Sequence, residues 1–352
     1  MNVLYVYSDN EAEWNCSEWR CVIPARAINK TETHKAELIF IDEYTKNSQE
    51  KFEKCEKADV IVIQRNAFIP AAIESINWML EGKRIIVDID DSYQHMSSGL
   101  HAFKFWHLGI VNTNKGERQL NYKPLDQLIW SMKLIRHLSS PSEIILNDWE
   151  KYDIKTLLVP NYIETEKYQE HMVETVGDEI HLGWGGSSTH LISFRESGIV
   201  NAIIRILKKH KNVKLCLTTP DQRVLKEFES VKGSVQYHGW TPHNEWPKTL
   251  AKTDIGIIPL AGKYDERRSW IKPLECAAMG IPWLSSYNKS YDTIPGGEFV
   301  KNTANWWEEA IDRAISEIKE RKQKSLEIAQ DMDRFDVYKQ AETIIQTYQS
   351  TL

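Results

Sequence analysis

The sequence predicts an α/β protein with two doubly wound parallel sheets, one in each half of the chain. Short apolar runs recur along the chain without alternation, as in parallel strands that are covered on both faces. Helical stretches separate these runs, which is the βαβ pattern. The chain has 352 residues, and at roughly 150 residues per domain this length suggests two domains.

Six apolar runs predict the strands of the first sheet. They lie near residues 5 and 39, over 59–63 and 84–89, near 137, and in a run that ends at Pro160. Sequence signals for helix starts and stops mark the ends of the helices between these strands. One is predicted from Pro70, in its first turn, to a stop at Gly82.

The pattern lapses between residues 163 and 179, where the chain is polar, acidic and without apolar periodicity. A boundary between domains is expected in such a segment. We therefore predict domains over residues 1–165 and 166–335, followed by a C-terminal helix over 336–352 that could cross back to the first domain.

The second half repeats the pattern and predicts a second sheet. Strands are expected at 179–184, 213–219, 235–240, 254–260, 281–286 and 297–300. Helices are expected over 199–210, 224–228, 246–252 and 272–279, and from residue 305 to the end of the chain.

Composition narrows the class of protein. The 44 Lys and Arg residues against 50 Asp and Glu give a net charge of −6, which argues against binding of nucleic acid through a positive surface. Five scattered cysteines without zinc spacing indicate a reducing, cytoplasmic location. No apolar run approaches the roughly 20 residues that span a bilayer; peripheral attachment to a membrane and the oligomeric state stay open.

Ligands of open α/β sheets bind beyond the carboxyl ends of the strands. In the second half, Gly185, Gly186 and Ser187 follow a predicted strand. Glycines let backbone amides approach phosphate oxygens, although the spacing matches neither a Walker A loop nor the dinucleotide fingerprint. A tight structural turn is the alternative.

Trp240 and Thr241 stand just past another predicted strand. An aromatic ring beside exposed backbone groups suits stacking and hydrogen bonding of a nucleobase. The alternative is that Trp240 covers the hydrophobic core.

The most informative segment places Arg268 and Lys272 before and within the first turn of a predicted helix. Cations at a helix start oppose the macrodipole unless an anion binds there, which favours a phosphate ligand. Glu275 follows closely and can accept hydrogen bonds from vicinal hydroxyls such as those of a ribose. The alternative is that Glu275 pairs with Lys272 or Arg268.

The run R-S-x-x-K-P-L-E-x-A-A-x-G-I-P over residues 268–282 resembles the donor-binding segment of GT-B glycosyltransferases. The segments IHLGWGGSSTH at 180–190, DIGIIPL at 254–260 and VPNYI at 159–163 match in order and spacing. The first half matches only in its pattern of strands and helices. The resemblance implies two Rossmann-like domains that face a cleft, with a nucleotide-diphosphate sugar on the C-terminal domain and the acceptor on the N-terminal one.

The resemblance also implies residue roles, with no metal ion and no further cofactor. Glu275 matches the carboxylate that holds the donor ribose, and Arg268 and Lys272 match cations near the diphosphate. Fixed cations can stabilise the leaving group by electrostatics alone. Gly185 and Gly186 match the loop that faces the phosphates, with Ser187 beside them. Trp240 and Thr241 match the position next to the edge of the donor's nucleobase.

One position departs from the family pattern. Arg267 stands eight residues before Glu275, where the family commonly has a second glutamate. Asp265 or Glu266 is then the candidate to meet the sugar hydroxyls.

The first half offers candidates for the acceptor side after its strands: Arg20, Arg65, Asp90, Asp91 and His95. Asp88, Asp90 and Asp91 also resemble the metal-binding D-x-D motif of the other major glycosyltransferase fold, GT-A. The remaining alternatives are pairing of the acids with Arg65 and ordinary structural roles for the arginines and the histidine.

The expected function is metal-independent transfer of a hexosyl group, with retention, from a nucleotide sugar to a glycan, lipid or other acceptor. One alternative is a phage-type DNA-base glucosyltransferase, against which the acidic charge argues. Another is a non-catalytic module that binds a nucleotide or a glycan.

Overall fold

A computed structural model describes residues 1–9 and 16–352. The chain forms two compact units. The first comprises Met1–Ile163, Arg267–Ser269 and Phe335–Leu352, and the second comprises Glu164–Glu266 and Trp270–Arg334. The change from the first unit to the second thus falls two residues before the predicted boundary, and residues 267–269 group with the first unit.

The first unit contains a parallel sheet of six strands in the order β2-β1-β3-β4-β7-β8. Its strands are β1 (Asn2–Tyr7), β2 (Lys35–Phe40), β3 (Val60–Gln64), β4 (Arg84–Asp88), β7 (His137–Ser140) and β8 (Lys155–Leu158). Every residue of β3 is buried, as expected for a strand with both faces covered. The strand order changes direction between β1 and β3, and this is a topological switch point.

Helices surround this sheet. They are α1 (Ile23–Asn29), α2 (Ile41–Thr45), α3 (Gln49–Lys57), α4 (Ile69–Leu80), α5 (His101–Phe103), α6 (Pro124–Ile135), α7 (Glu143–Glu150) and, from the C-terminal segment, α16 (Ala341–Gln349). Short π-helices cover Glu18–Val22 and Lys104–Leu108. The hydroxyls of Tyr5 on β1 and Tyr348 on α16 lie 3.4 Å apart, so the last helix packs on the first unit.

The second unit contains another parallel sheet of six strands, in the order β11-β10-β9-β12-β13-β14. These are β9 (Ile180–Gly185), β10 (Val213–Thr218), β11 (Val235–His238), β12 (Ile255–Ile258), β13 (Trp283–Ser286) and β14 (Gly297–Val300). This is the 3-2-1-4-5-6 order of the Rossmann fold, whose switch point lies between the first and fourth strands, here β9 and β12.

The helices of the second unit are α8 (Thr165–Gln169), α9 (Leu191–Glu196), α10 (Ile199–Lys209), α11 (Trp246–Leu250), α12 (Gly262–Asp265), α13 (Ile271–Ala278), α14 (Ala304–Ser316) and α15 (Ile318–Ala329). Apolar side chains of α10 and α14 form one core with the strands. None of the helices in the described ranges has both the length and the apolar composition needed to cross a bilayer.

Three elements differ from the sequence prediction. An antiparallel hairpin, β5 (Ile110–Thr113) and β6 (Gly116–Gln119), was not predicted. The helix expected over 224–228 is a kinked 3-10 segment, Gln222–Ser234, with non-helical angles at Phe228 and Val231. The helical stretch expected from residue 305 to the end is divided into α14, α15, a 3-10 turn at Asp333–Phe335 and α16, so the C-terminal helix predicted over 336–352 begins only at Ala341.

Candidate functional site

A pocket lies at the switch point of the second unit. Its walls come from β9, β12, α11 and α13, and it is lined among others by Gly185, His238, Trp246, Lys272 and Glu275. Crevices at switch points are where open α/β sheets bind their ligands. Three of these five residues, Gly185, Lys272 and Glu275, are ones that the sequence assigned to the donor site.

Helix α13 brings Lys272 and Glu275 to this pocket. The two residues are three positions apart, so their side chains project from the same face of the helix. Lys272 lies in the first turn, as the sequence predicted. Its Nζ donates a hydrogen bond to the carbonyl oxygen of Gly185 at the end of β9, which fixes the ammonium group beside the strand end.

Glu275 is almost fully buried, with 7% of its surface exposed. Its Oε1 accepts a hydrogen bond of 2.9 Å from the hydroxyl of Tyr168 on α8. Burial raises the pKa of Glu275 to about 7, against the charge of Lys272 and the hydrogen bonds from Tyr168 and Trp246, which lower it. The carboxyl group therefore changes its charge near neutral pH.

The glycines of the pocket make room for neighbouring side chains. A Cβ on Gly183 would collide with the Oγ1 of Thr253, and one on Gly185 would lie 2.8 Å from the Trp246 ring. The amide of Gly186 donates a 3.1 Å hydrogen bond to the carbonyl oxygen of Thr218. This amide is thus engaged within the sheet, which supports the structural-turn alternative for Gly186; the phosphate contact of Gly185 and Gly186 stays a prediction.

His238 and Trp246 are among the pocket residues that the sequence analysis missed. The Nε2 atom of His238 is buried and has no hydrogen-bond partner in the part of the chain that the structure describes. A buried polar atom without a partner is costly, and here it lines a pocket. Trp246 was predicted only as part of a helix. The sequence signal for both was their position, at the end of β11 and at the start of the following helix.

The other donor-side candidates lie closer to solvent. Trp240 is 44% exposed, so part of its ring is accessible to a ligand. Thr241 is partly exposed. The hydroxyls of Ser187 and Thr189 are 2.8 Å apart and share a hydrogen bond. Contact of Trp240, Thr241 and Ser187 with a nucleotide stays a prediction.

The two candidates for sugar binding have different environments. Asp265 is only 2% exposed; its carboxylate accepts hydrogen bonds from the hydroxyl of Ser193 and from the amide of Ala261, the latter at 2.9 Å. The expectation that Asp265 meets the sugar hydroxyls is corrected here, because its buried carboxylate instead supports the loop before α13. Glu266 is exposed at the end of α12.

Arg267 and Arg268 belong to the first unit. Arg267 forms a two-pronged ion pair with Asp148 on α7, with N–O distances of 2.5 and 3.0 Å. Such a pair gives Arg267 a structural role. Arg268 lies 3.9 Å from Asp91. The convergence of Arg268 with Lys272 and Glu275 on one ligand stays a prediction, because the three residues are divided between the units.

Arg20 lies in the interior of the first unit and not at a rim. Only 3% exposed, it binds both carboxylate oxygens of Asp88 at 2.8 and 2.6 Å, and it also donates to the carbonyl of Val159 and the side chain of Asn161. Burial opposes its charge, but Asp88 outweighs this effect and raises the pKa of Arg20. The acceptor role predicted for Arg20 is therefore wrong, as is a pairing of Asp88 with Arg65.

Beyond β1, β3 and β4, at the switch point of the first unit, lies a group that we call the acidic cluster: Cys16, Arg65, Asp90, Asp91 and Tyr93. Arg65 has a φ of 43°, an unusual angle for a residue other than glycine, and it pairs with Asp9. Burial lowers the pKa of Arg65, but the charges of Tyr93, Asp90 and Asp91 outweigh this and raise it. Asp90 and Asp91 thus act on the charge of Arg65, and an ion pair of either acid with Arg65 stays a prediction.

Cys16, Asp90 and Asp91 bring three potential metal-ligand atoms within 4.8 Å of one another. Arg65 and Arg268 supply positive charge to the same acids. Burial and these acids raise the pKa of the Cys16 thiol, which keeps it protonated. Arg65 and Arg268 thus offset part of the negative charge of the two acids.

His95 is the last candidate of the acceptor side. Its Nδ1 lies 2.9 Å from the hydroxyl of Ser92 and 3.4 Å from a carboxylate oxygen of Asp148. Asp148 also binds Arg267, so His95 belongs to a polar network of the first unit. Its contact with an acceptor stays a prediction.

No family model matches the sequence, and no curated protein matches it either. Solved structures do share its fold. HepE (Alr3699) of Anabaena, in complex with UDP-glucose, has a TM-score of 0.68 at 11% identity over 99% of this chain and 100% of its own. A glycosyltransferase of Rickettsia africae has a TM-score of 0.64 at 13% identity over 99% and 98%.

A Listeria monocytogenes protein assigned as a UDP-N-acetylglucosamine 2-epimerase has a TM-score of 0.55 at 9% identity over 99% of this chain and 96% of its own. At these identities the likeness establishes the fold. The chain has the GT-B fold of glycosyltransferases, with two parallel six-stranded α/β units, and this confirms the predicted fold class.

Proposed function

We propose that the protein is a glycosyltransferase that moves a hexosyl group from a nucleotide-diphosphate sugar to an acceptor. The observation that carries this proposal is the pocket at the β9–β12 switch point, which Lys272 and Glu275 enter from the first two turns of α13. A cation and a carboxylate in one pocket match a donor with a diphosphate and a ribose.

In this proposal Lys272 stabilises the charge that develops on the departing diphosphate, and Glu275 accepts hydrogen bonds from the ribose hydroxyls. Fixed cations can supply that stabilisation without a metal ion, so we propose metal-independent transfer and no further cofactor. The hexosyl group and retention of configuration are carried over from the resemblance. A cytoplasmic location is carried over from the five scattered cysteines, whose number and spacing indicate a reducing compartment.

The test is a panel of UDP-, GDP- and ADP-hexoses incubated with the protein in the presence of EDTA and of candidate glycan and lipid acceptors. Mass spectrometry reads loss of the donor and gain of a hexosyl group, and NMR of the product gives the anomeric configuration. Slow donor hydrolysis without acceptor would distinguish an enzyme from a binding module. Isomerisation of the sugar with the donor intact would point instead to an epimerase.

A substitution of Glu275 tests its assigned role in binding the donor ribose. Glu275→Ala should weaken binding of nucleoside diphosphates by at least tenfold, because charged hydrogen bonds of about 1.5 to 3 kcal/mol are lost. Glu320→Ala is the control, since Glu320 is exposed on α15 of the same unit and pairs only with a neighbouring lysine in the described contacts. Calorimetric titration measures both. Equal binding by wild type and Glu275→Ala would contradict the assigned role.

A further inference from the structure

Tyr168 comes from the segment whose polar composition predicted a boundary between domains. Its ring is 1% exposed, and its hydroxyl donates the 2.9 Å hydrogen bond to Oε1 of Glu275. Helix α8 packs against α13 through this contact. No sequence pattern indicates the contact, because Tyr168 is separated from Glu275 by 107 positions.

We propose that Tyr168 is a positioning residue that orients the Glu275 carboxylate for the hydroxyls of the donor ribose and favours its ionised form. This inference rests on the proposed function for the identity of the ligand. A donated hydrogen bond stabilises the charged state of a carboxylate. Each carboxylate oxygen can accept a second hydrogen bond, so the Tyr168 contact leaves Oε1 able to receive a ribose hydroxyl.

The groups that face Glu275 come from three helices. Lys272 lies on its own helix, Tyr168 and Lys167 on α8, and Trp246 on α11. Cys276, the next residue on α13, is buried, and burial together with Glu275 raises its pKa to about 12.

Two further titratable groups line the pocket. Burial and Lys252 lower the pKa of His238 below its ordinary value. Burial raises the pKa of Cys216 to about 11. Burial raises the pKa of Glu275, by contrast, to about 7.

Nucleotide affinity should therefore depend on pH in a defined direction. The ionised carboxylate accepts ribose hydroxyls better than the protonated group, so affinity should rise as the pH passes through the pKa of Glu275. Tyr168→Phe removes a donor that lowers this pKa. The midpoint of the profile should consequently move upward by about one pH unit, with affinity recovering at high pH.

The experiment measures dissociation constants of UDP-glucose and ADP-glucose by calorimetry from pH 5.5 to 9, because these ligands lack the terminal phosphate of UDP and ADP, which itself titrates in this range. Tyr44→Phe is the matched control, because Tyr44 is a fully buried tyrosine of the first unit whose hydroxyl lies 3.2 Å from that of Ser75. Wild type and Tyr44→Phe should share one midpoint, and Tyr168→Phe should have a higher one. An unchanged midpoint in Tyr168→Phe overturns the inference.

A second measurement needs no nucleotide. Carboxyl 13C NMR of Glu275, assigned with Glu275→Gln, should titrate near pH 7 in wild type and higher in Tyr168→Phe. In wild type the Tyr168 Cζ signal should follow the same midpoint, and a Tyr168 signal that ignores Glu275 would overturn the inference even if Tyr168→Phe fails to fold. Failure of wild type to bind UDP, ADP or any donor counts against the proposed function, while the NMR titration still decides the role of Tyr168.

Discussion

The two switch points of the molecule differ in strand order and in chemistry, since the first lies between β1 and β3 and the second between β9 and β12. In the first unit, charged groups are bound mainly to one another: Arg20 with Asp88, Arg65 with Asp9, and Arg267 with Asp148. In the second unit, Lys272 and Glu275 line a pocket together with a buried imidazole nitrogen that has no partner in the described chain.

This difference separates charges that hold a sheet together from charges available to a ligand. A buried ion pair with all its hydrogen bonds made contributes mostly by avoiding an uncompensated charge. Burial that raises the pKa of a carboxyl group makes its ionised form less stable. Residues with such shifted pKa values are commonly found at functional sites. Three variants test the comparison, from the largest expected effect to the smallest.

Arg20→Met should destabilise the first unit by about 3 to 5 kcal/mol, because it leaves the Asp88 carboxylate buried without its cation. Chemical denaturation measures the free energy of unfolding. Arg136→Met is the control, since Arg136 and Asp153 form an exposed pair. Affinity for nucleotides, measured on the folded fraction, should not change; a stable Arg20→Met protein that loses acceptor use would restore an acceptor role for Arg20.

Lys272→Met should slow hexosyl transfer by about 10² to 10³-fold, or roughly 3 to 4 kcal/mol of barrier, since one fixed donor to the developing charge is lost. Steady-state kinetics with the best donor measures this effect. Lys209→Met is the control, because Lys209 forms an exposed pair with Asp312 in the same unit. Equal rates in the two variants would place the leaving-group stabilisation elsewhere.

Trp240→Ala should leave the free energy of unfolding within about 0.5 kcal/mol of wild type, because the side chain is largely exposed. If the ring stacks on the base, affinity for UDP should fall by about five- to tenfold, the lower end of aromatic–base stacking. Trp306→Ala, at an exposed position on α14, is the control. Unchanged affinity would remove Trp240 from the site.

Most of the fold could be predicted from the sequence, because buried parallel strands leave apolar runs that are short and contiguous. The hairpin β5–β6 could not, since its strands are largely exposed and carry no apolar pattern. The 3-10 segment Gln222–Ser234 could not be predicted either, because the spacing of its buried residues Val224 and Phe228 also fits an α-helix.

The site was partly predictable for a similar reason. Lys272 and Glu275 lie on one helix, so their proximity follows from their spacing. Tyr168 and His238 are distant from Glu275 in sequence and carry no motif. Only the fold brings the Tyr168 hydroxyl to the Glu275 carboxylate and His238 to the pocket. The predicted roles of Arg20 and Asp265 were wrong because the sequence pattern of a charged residue that follows a strand is the same whether its side chain binds a ligand or a buried partner.

The absence of a side chain at Gly183, Gly185 and Gly256 limits how the ligand specificity of this pocket can change in evolution. At each of these positions even a single methyl group would collide, with Thr253, with Trp246 or with Cys276. A larger residue at one of these glycines therefore requires a compensating change in the side chain that it meets. Divergence between relatives in the choice of ligand is expected in the side chains around the mouth of the pocket.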